Sequence, residues 1–290
     1  MSKIHAFTKK MKIIINANSK YAISQICILL LSANLNAQND MRTQFFPKKE
    51  VEVKSISDRK NTWVFILAGQ SNMAGRGLVG PQDTIPSERI FTINKNGKVI
   101  LAKEPLHFYE NTLTGLDCGL SFGKSIVKET PDRISVLLIP TAVGGSSINQ
   151  WLGDSLHRNA KLLTNFKEKV AIGKQYGIIK GILWHQGESD TKENDAPHYK
   201  ERLTQLVKIF REAAGNENLP ILIGELGGYS SNKYWTVVNE QIHLYSSTDS
   251  NTAVIGTTDL KDKGDSLHFN SDSQRLLGRR FAKAYLKLVK

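Results

Sequence analysis

The feature that most constrains the fold is an unbroken run of apolar side chains, residues 63–68, that ends at Gly69. Because polar and apolar residues do not alternate in it, the run is typical of a strand covered on both faces, as in a parallel sheet. Three small polar residues, Gln70, Ser71 and Asn72, follow where the chain must turn. Ligands of open α/β sheets bind beyond the carboxyl ends of the strands. The sequence therefore places Ser71 where chemistry can happen, and a plain polar turn is the alternative interpretation.

Four further apolar runs follow along the chain, and segments with helical periodicity separate them. The runs span residues 134–139, 178–184, 220–223 and 252–255, and the helical segments span residues 119–130, 161–176, 199–214, 237–245 and 274–289. Strands that alternate with helices predict an α/β fold in which right-handed crossovers cover both faces of a parallel sheet. We therefore expect residues 61–290 to form one α/β domain.

Two stretches lack periodicity. Residues 38–60 are polar and basic and are predicted to form a linker or a loose edge. Residues 76–115 contain three prolines and several glycines, which predicts a long irregular excursion with a short hairpin at residues 94–97. Because long loops inside a domain are usually functional, we expect this excursion to lie beside the serine turn.

The first 37 residues have the composition of a secretory signal. They contain five lysines and no acidic residue, an apolar core within residues 23–31, and small residues before Gln38. The apolar core is too short to span a bilayer comfortably. We therefore predict a cleaved signal peptide at residues 1–37, a secreted or periplasmic location and no stable membrane insertion after cleavage. A retained anchor is the alternative.

The charge left without residues 1–37 is +7, from 34 basic and 27 acidic side chains spread along the chain. Nucleic-acid binding needs a concentrated basic face, so no nucleic-acid partner is expected. Cys118 is then the one remaining cysteine, and a single cysteine cannot form an internal disulfide. The fold must therefore be stabilised by its core. The sequence does not predict the oligomeric state.

Four polar segments follow predicted strands: GQSNM at residues 69–73, GGSSINQW at 144–151, WHQGESD at 184–190 and DSLHFN at 265–270. A parallel sheet brings them to one edge, as acyl transfer requires. A serine hydroxyl becomes a nucleophile when a histidine takes its proton and a carboxylate orients that histidine. Ser71 is the candidate nucleophile, His268 the candidate base and Asp265 its partner. The rival serines are Ser146, Ser147 and Ser189, and the rival carboxylates are Asp259 and Asp262.

Other polar and aromatic residues near these segments allow more than one interpretation. His185 and Glu188 lie three positions apart and could bind one metal ion, but no third ligand is evident, so no metal is expected. Trp151 and Trp184 lie at predicted strand ends and are either core residues or the walls of a sugar pocket. Four histidines without an evident partner are predicted to be surface or packing residues: His107, His157, His198 and His243.

The segments AGQSNMAG, GGSSINQW, WHQGESD and DSLHFN, in this order and spacing, resemble the blocks of SGNH-type hydrolases. They are most similar to the sialate O-acetylesterase and acetylxylan esterase group, carbohydrate esterase family 6, over residues 63–290. The resemblance implies a flavodoxin-like three-layer α/β/α fold with a five-stranded parallel sheet in the order 2-1-3-4-5. It also implies a secreted serine esterase that removes O-acetyl groups from acetylated carbohydrates of the acetylxylan or sialic acid type, without a metal or organic cofactor.

The same resemblance implies roles for the site residues. Ser71 is the nucleophile, His268 is the base, Asp265 supports it, and Glu188 is a second candidate partner of His268. The oxyanion hole is expected from Ser71, Gly145 and Gln186, although the wider superfamily has asparagine where this chain has Gln186. Four residues are expected to contact the substrate: Gln70, Asn72, Trp151 and Trp184.

Two alternatives stay open beside this interpretation. A carbohydrate-binding protein on the same fold would have lost the nucleophile, the base or an oxyanion group, and none of these residues is missing from the sequence. An esterase for lipids or thioesters would favour a long apolar groove, which the polar, tryptophan-containing segments do not indicate.

Overall fold

A seven-stranded, mostly parallel sheet forms the centre of the protein in the computed structural model, which describes residues 41–54, 56 and 58–290. The whole sheet lies within residues 45–290, which form one compact unit, and the predicted signal peptide lies outside the described residues. The described strands are β1 (Thr62–Gly69), β2 (Ile90–Ile93), β3 (Val99–Leu101), β4 (Ser135–Pro140), β5 (Leu156–His157), β6 (Ala160–Lys161), β7 (Ile178–His185), β8 (Ile221–Gly224) and β9 (Thr252–Ile255).

The strand order in this sheet is β3-β2-β4-β1-β7-β8-β9. The five strands expected from the apolar runs are β1, β4, β7, β8 and β9, and neighbouring members of this set all pair in parallel. Numbered by their own sequence order, they lie 2-1-3-4-5. The predicted α/β fold is therefore confirmed.

The predicted count of five strands is too low by two. β2 pairs in parallel with β4 and antiparallel with β3, so the excursion at residues 76–115 adds a hairpin to one edge of the sheet. The turn of this hairpin is the one predicted at residues 94–97, which is confirmed. Its two strands of four and three residues were not predicted, because they lie within the excursion of prolines and glycines. Val53 N–H donates to Val99 O at 3.0 Å, so part of the predicted linker lies along the same edge.

Helices cover both faces of the sheet. Alternate side chains of β1 point to opposite layers. Val64 and Ile66 lie in one hydrophobic cluster with residues from the helices at Leu162–Tyr176, Tyr199–Ala214 and Lys233–Ser246, whereas Phe65 and Leu67 lie in a second cluster with residues from the helices at Gly119–Lys128 and Ser271–Leu288. Each of these four side chains is fully buried, which contributes about 1.5–3 kcal/mol apiece. The described helices are α1 (Ser71–Ala74), α2 (Gly119–Lys128), α3 (Ile148–Leu152), α4 (Leu162–Tyr176), α5 (Tyr199–Ala214), α6 (Lys233–Ser246) and α7 (Ser271–Leu288).

None of the helices in the described ranges combines the length and the apolar character needed to cross a membrane.

The loop after β4 stays beside the serine turn after both strands have ended. Thr141 N–H donates to Leu67 O at 2.8 Å, and Val143 N–H donates to Gly69 O at 3.1 Å. The two chains therefore continue side by side in parallel register. Ser146 Oγ also lies 3.4 Å from Gly69 O, so the loop that contains Gly145 runs beside the serine turn.

Candidate active site

The turn that carries Ser71 is held tightly against the neighbouring strand. Gly69 has a φ of +138°, and a Cβ on it would lie 2.1 Å from the carbonyl oxygen of His185, so this position requires glycine. The chain then enters the short helix α1, in which the N–H groups of Met73 and Ala74 donate to Gln70 O. Ser71 is its first residue and is 4% exposed.

Ser71, His268 and Asp265 form a continuous chain of hydrogen bonds. Ser71 Oγ lies 3.0 Å from His268 Nε2, although the two residues are 197 positions apart in the sequence. His268 Nδ1 lies 2.7 Å from Asp265 Oδ2. The structure therefore brings together the three residues that the sequence selected as nucleophile, base and partner.

Asp265 is held as a carboxylate by its own loop. Its Oδ1 accepts hydrogen bonds from the N–H groups of His268, at 2.8 Å, and Leu267, at 3.1 Å. Partial burial alone would raise the pKa of Asp265, but the hydrogen bonds from the His268 backbone and ring, with that from Leu267, outweigh it and lower the pKa. An ionised Asp265 fixes the ring so that Nε2 faces the serine.

Asn72 joins the serine turn to the histidine loop instead of contacting substrate, which corrects the prediction for this residue. Its Oδ1 accepts from Phe269 N–H at 3.0 Å, and its Nδ2 donates to Leu267 O at 3.0 Å. The carboxamide thus binds the backbone on both sides of His268. Asn72 is fully buried. Because it follows Ser71 directly and binds the loop of His268, it sets the spacing of nucleophile and base.

The predictions that Trp151 and Trp184 contact the substrate are wrong, whereas that for Gln70 stays a prediction. Gln70 is 3% exposed, and its Oε1 accepts from Ser189 N–H at 3.1 Å. Both tryptophans are fully buried and pack edge to face with ring centroids 5.3 Å apart. Their indole N–H groups donate to Ser146 Oγ and Tyr199 Oη. These rings belong to the core, so no sugar can reach them.

Gln186 does not supply an oxyanion donor in this arrangement. The side chain is fully buried, and its Nε2 lies 3.0 Å from Gln70 Oε1, 3.0 Å from Ser146 O and 2.6 Å from Asp190 Oδ2. An amide nitrogen carries only two hydrogens, so none is left for a substrate. Gln186 instead connects three of the loops at the edge of the sheet.

Glu188 is not the partner of His268. Its Oε1 accepts from Asn72 Nδ2 at 2.6 Å and lies 3.8 Å from His185 Nδ1. Both ring nitrogens of His268 are already occupied by Ser71 and Asp265. The carboxylate of Glu188 therefore holds the side chain of Asn72 and does not contact the ring of His268.

His185, the other half of the candidate metal pair, is fully buried, and its Nε2 lies 2.9 Å from Glu225 O. Burial lowers the pKa of His185, although the charge of Glu188 opposes the shift. Within the part of the chain that the structure describes, no three His, Cys, Asp or Glu side chains are grouped so that they could hold a metal ion.

The remaining candidate oxyanion donors are the backbone N–H groups of Ser71 and Gly145. The first N–H groups of a helix have no partner within that helix, and Ser71 begins α1. The peptide between Gly144 and Gly145 is held by His157, whose Nε2 lies 2.9 Å from Gly144 O. Because C=O and N–H of a trans peptide point in opposite directions, this bond aims the Gly145 N–H away from His157.

A buried carboxylate supports the same loop. Glu110 Oε2 accepts from Gly144 N–H at 2.7 Å and from Arg76 Nη2 at 2.8 Å, and Oε1 pairs with Arg158 Nη1. Burial alone would raise the pKa of Glu110, but the charges of Arg76 and Arg158 and these hydrogen bonds hold it below its ordinary value. Glu110 is therefore an ionised support for the Gly144 backbone.

Sequence reasoning missed Glu110, His157 and Arg158. Glu110 lies in the non-periodic excursion, and His157 was assigned no partner although it contacts Gly144. His157 and Arg158 belong to the hairpin of β5 and β6, whose strands have two residues each. Elements this short leave no periodic signal.

Comparison with known proteins identifies the relatives of this chain. The profile of a family described as carbohydrate esterase, sialic acid-specific acetylesterase, matches residues 61–287. A probable carbohydrate esterase of Arabidopsis thaliana is 32% identical over 246 residues, which cover 77% of this chain and 90% of that protein. The solved structure of the Arabidopsis protein superimposes with a TM-score of 0.69 at 29% identity, covering 79% of this chain and 98% of that one.

Two more distant solved structures share the fold. A carbohydrate acetylesterase from Xanthomonas citri has a TM-score of 0.61 at 21% identity and covers 79% of this chain and 56% of its own. NanS has a TM-score of 0.60 at 17% identity, with 81% of this chain and 99% of the other covered. At these identities the likeness supports the α/β architecture alone.

Proposed function

Because this chain belongs to the carbohydrate esterase family of sialic acid-specific acetylesterases, and is thus a carboxylic ester hydrolase, we propose that it removes O-acetyl groups from carbohydrates through an acetyl-enzyme on Ser71. The observation that carries the proposal is the 3.0 Å contact between Ser71 Oγ and His268 Nε2, with Asp265 on the other side of the ring. A serine next to an oriented histidine is the arrangement that activates a hydroxyl for attack.

The reaction follows in two halves. Ser71 Oγ attacks the acetyl carbonyl carbon while His268 Nε2 takes the serine proton, and the N–H groups of Ser71 and Gly145 stabilise the oxyanion. The tetrahedral intermediate collapses, and His268 returns the proton to the departing sugar hydroxyl. Water then attacks the acetyl carbonyl carbon with His268 as base, the bond to Ser71 Oγ breaks as His268 returns the proton to that oxygen, and acetate leaves. Asp265 holds the ring in both halves.

Acetate release from a panel of acetylated glycans tests the proposal. Wild-type protein should release acetate from acetylated xylan or O-acetylated sialic acid, and a folded Ser71→Ala variant should not. A 4-nitrophenyl ester series with acyl chains of two to eight carbons separates this function from a lipid esterase, because preference for the long chains would indicate an apolar groove. Binding of glycans without acetate release would favour a carbohydrate-binding protein instead.

We also propose that the protein is exported, from the five lysines, the apolar core and the small residues within residues 1–37. Protein isolated outside the cytoplasm of the native host should begin near Gln38. Cytosolic protein that begins at Met1 or Met11 would contradict export.

A further inference from the structure

We infer that Tyr229 is a positioning residue for the reaction: its hydroxyl holds the loop that carries His268, so that the base stays in contact with Ser71. The inference deepens the proposed function and rests on it, because it concerns how the base is held. It follows from the way the loop of His268 is closed, from two donors that share one of its carbonyl groups, and from the packing of the Tyr229 ring.

The loop that carries His268 is closed by bonds within itself. Asp262 and Phe269 pair across its ends in an antiparallel bridge, and Lys263 N–H donates to His268 O at 2.8 Å. Asp262 Oδ2 also accepts from two N–H groups inside the loop. Residues 263–267 are exposed, so little packing surrounds them. The position of this loop relative to the nucleophile therefore depends on bonds that reach it from other parts of the chain.

One carbonyl group of the loop accepts two such bonds. Leu267 O accepts from Asn72 Nδ2 at 3.0 Å and from Tyr229 Oη at 3.0 Å. A carbonyl oxygen has two lone pairs, so both are used. Asn72 lies in the turn after β1 and Tyr229 lies in the loop after β8. Two separate loops therefore hold the peptide that leads into His268.

The same peptide reaches the group that orients the base. Its N–H, which belongs to His268, donates to Asp265 Oδ1 at 2.8 Å, and Oδ2 of this carboxylate lies 2.7 Å from His268 Nδ1. Hydrogen bonds in such a chain polarise one another, so the Tyr229 donor strengthens the bond to Asp265. A displacement of about 1 Å in a reacting group can cost about 100-fold in rate. Holding this peptide therefore protects the 3.0 Å contact between His268 Nε2 and Ser71 Oγ.

The ring of Tyr229 is itself held in place. It is half-buried and packs edge to face on Phe269, with ring centroids 5.7 Å apart, and its centroid lies 6.4 Å from that of Trp235. Gly227 leaves the space that the ring occupies. A Cβ on Gly227 would lie 2.8 Å from Tyr229 Oη and closer still to two carbons of the ring. A side chain at position 227 would therefore displace the hydroxyl.

The hydroxyl of Tyr229 stays a donor throughout the working pH range. Burial, and then the negative charges of Glu188, Asp262 and Asp265, raise the pKa of Tyr229 above its ordinary value of 10.0. A phenol that keeps its proton can donate to a carbonyl group, whereas a phenolate cannot. The bond to Leu267 O is therefore kept at every pH at which the imidazole acts as a base.

Tyr229→Phe tests the inference, because it keeps the ring and removes only the hydroxyl. We expect kcat to fall about tenfold on 4-nitrophenyl acetate and on the acetylated glycan that wild type cleaves, a smaller loss than full misplacement because Asn72 still holds the carbonyl. Because His268 acts in both halves of the reaction, both should slow together, and KM should change by less than about twofold. A higher KM for the glycan, with unchanged kcat on both substrates, would show a sugar contact instead and overturn the inference.

Tyr245→Phe is the matched control for the loss of a tyrosine hydroxyl. Tyr245 Oη donates to Asp249 Oδ2 at 2.6 Å, and Asp249 precedes β9, at the edge of the sheet opposite Ser71. This variant should lower the melting temperature and keep the wild-type kcat. If Tyr229→Phe likewise lowers only the melting temperature, its role is merely structural and the inference is overturned.

Gly227→Ala displaces the same hydroxyl without changing Tyr229. It should lower kcat at least as much as Tyr229→Phe does, again with little change in KM. In a Tyr229→Ala background the added methyl group meets no ring, so Gly227→Ala should then change kcat little. The same loss of kcat from Gly227→Ala in both backgrounds would contradict the role of Tyr229. Thermal unfolding of each variant confirms that the protein is folded.

The two proposals fail in different ways. Wild-type kcat in Tyr229→Phe, with turnover that still requires Ser71, overturns the positioning role and leaves the proposed function intact. If wild type cleaves 4-nitrophenyl acetate and no glycan, the carbohydrate function is overturned, and a fall in kcat of Tyr229→Phe on that ester still supports the positioning role. No cleavage of any of these substrates overturns both.

Discussion

Two histidine–aspartate pairs in this protein have almost the same geometry and opposite surroundings. His268 Nδ1 lies 2.7 Å from Asp265 Oδ2, and His107 Nδ1 lies 2.8 Å from Asp117 Oδ2. In the first pair the side chains of His268 and Asp265 are 16% and 36% exposed, whereas both side chains of the second pair are fully buried. The bond between the two groups is therefore not what distinguishes a candidate catalytic pair.

The difference lies in what the second ring nitrogen contacts. His268 Nε2 reaches Ser71 Oγ at 3.0 Å, whereas His107 Nε2 is buried with no hydrogen-bond partner among the described residues. Asp117 Oδ1 also accepts from Gly119 N–H at 2.5 Å, at the start of α2. We therefore interpret the buried pair as a support for the entry of α2 and the exposed pair as the acid–base group.

The largest effect on kcat should come from removing Ser71 or His268, the two residues in contact at the exposed pair. Ser71→Ala and His268→Ala should each lower kcat roughly 10⁴-fold or more, and the double variant should be about as inactive as either one, because nucleophile and base act as a unit. Steady-state kinetics with an aryl acetate measure this, with thermal unfolding to confirm the fold. Near-wild-type turnover by folded Ser71→Ala would rule out this serine as nucleophile.

Breaking the buried pair should lower stability and not catalysis. Asp117→Ala leaves His107 buried without its partner and removes the acceptor for Gly119 N–H, which should cost about 3 kcal/mol of unfolding free energy. For a domain of this size the melting temperature should fall by about 6–12 °C. The variant that remains folded should keep kcat within a few-fold of wild type. A large loss of kcat with unchanged stability would reverse our interpretation of the pair.

Changing the carboxylate of the exposed pair should have an intermediate effect on catalysis. Asp265→Asn keeps the shape of the side chain and removes the charge that supports the protonated ring of His268, so kcat should fall about 10- to 100-fold. The loss is smaller than for a buried aspartate because water reaches this side chain, which is 36% exposed.

Glu188→Gln tests whether Glu188 supports His268 in addition to Asp265. Because Glu188 contacts Asn72 and not His268, the effects of Glu188→Gln and Asp265→Asn on kcat should multiply in the double variant. A double variant that falls well below the product of the two single effects would restore Glu188 as a second partner of His268.

The smallest effect should be a pH dependence that originates beside the buried pair. Burial, and then the charge of Asp117, raise the pKa of Glu104 well above its ordinary value of 4.5. The folded protein therefore keeps this proton to a higher pH than the unfolded chain does. The contribution of Glu104 to the free energy of unfolding should fall as pH rises from about 4.5 through the folded-state pKa.

Glu104→Gln should remove this contribution and flatten the stability profile. Denaturant unfolding from pH 4 to pH 8 measures the slope in both proteins. Glu129→Gln, at an exposed position after α2, is the matched control and should keep the wild-type slope. Identical profiles for wild type and Glu104→Gln would contradict the assignment.

Local patterns were sufficient to predict the strand that precedes Ser71 and the loop that carries the exposed pair. The apolar run at residues 63–68 predicted β1 because strands covered on both faces have no alternation. A spacing of three residues lets one loop join Asp265 to His268, which made Asp265 the preferred candidate and left Glu188 as a second one. His107 and Asp117 are ten residues apart inside a non-periodic excursion, so their contact left no sign in the sequence.

The α/β class, the five parallel core strands and the serine turn could be predicted from the sequence alone, because each depends on residue types within a short span of chain. The packing of the folded chain was needed to show which polar side chains face the cleft and that Asp265 is the partner of His268. It placed Trp151, Trp184 and Gln186 inside, directed Glu188 to Asn72 and brought the hairpin of β5 and β6 to Gly144. Those outcomes depend on how loops from distant parts of the chain pack at one edge of the sheet, and burial and hydrogen-bond partners across such loops are not encoded in local spacing.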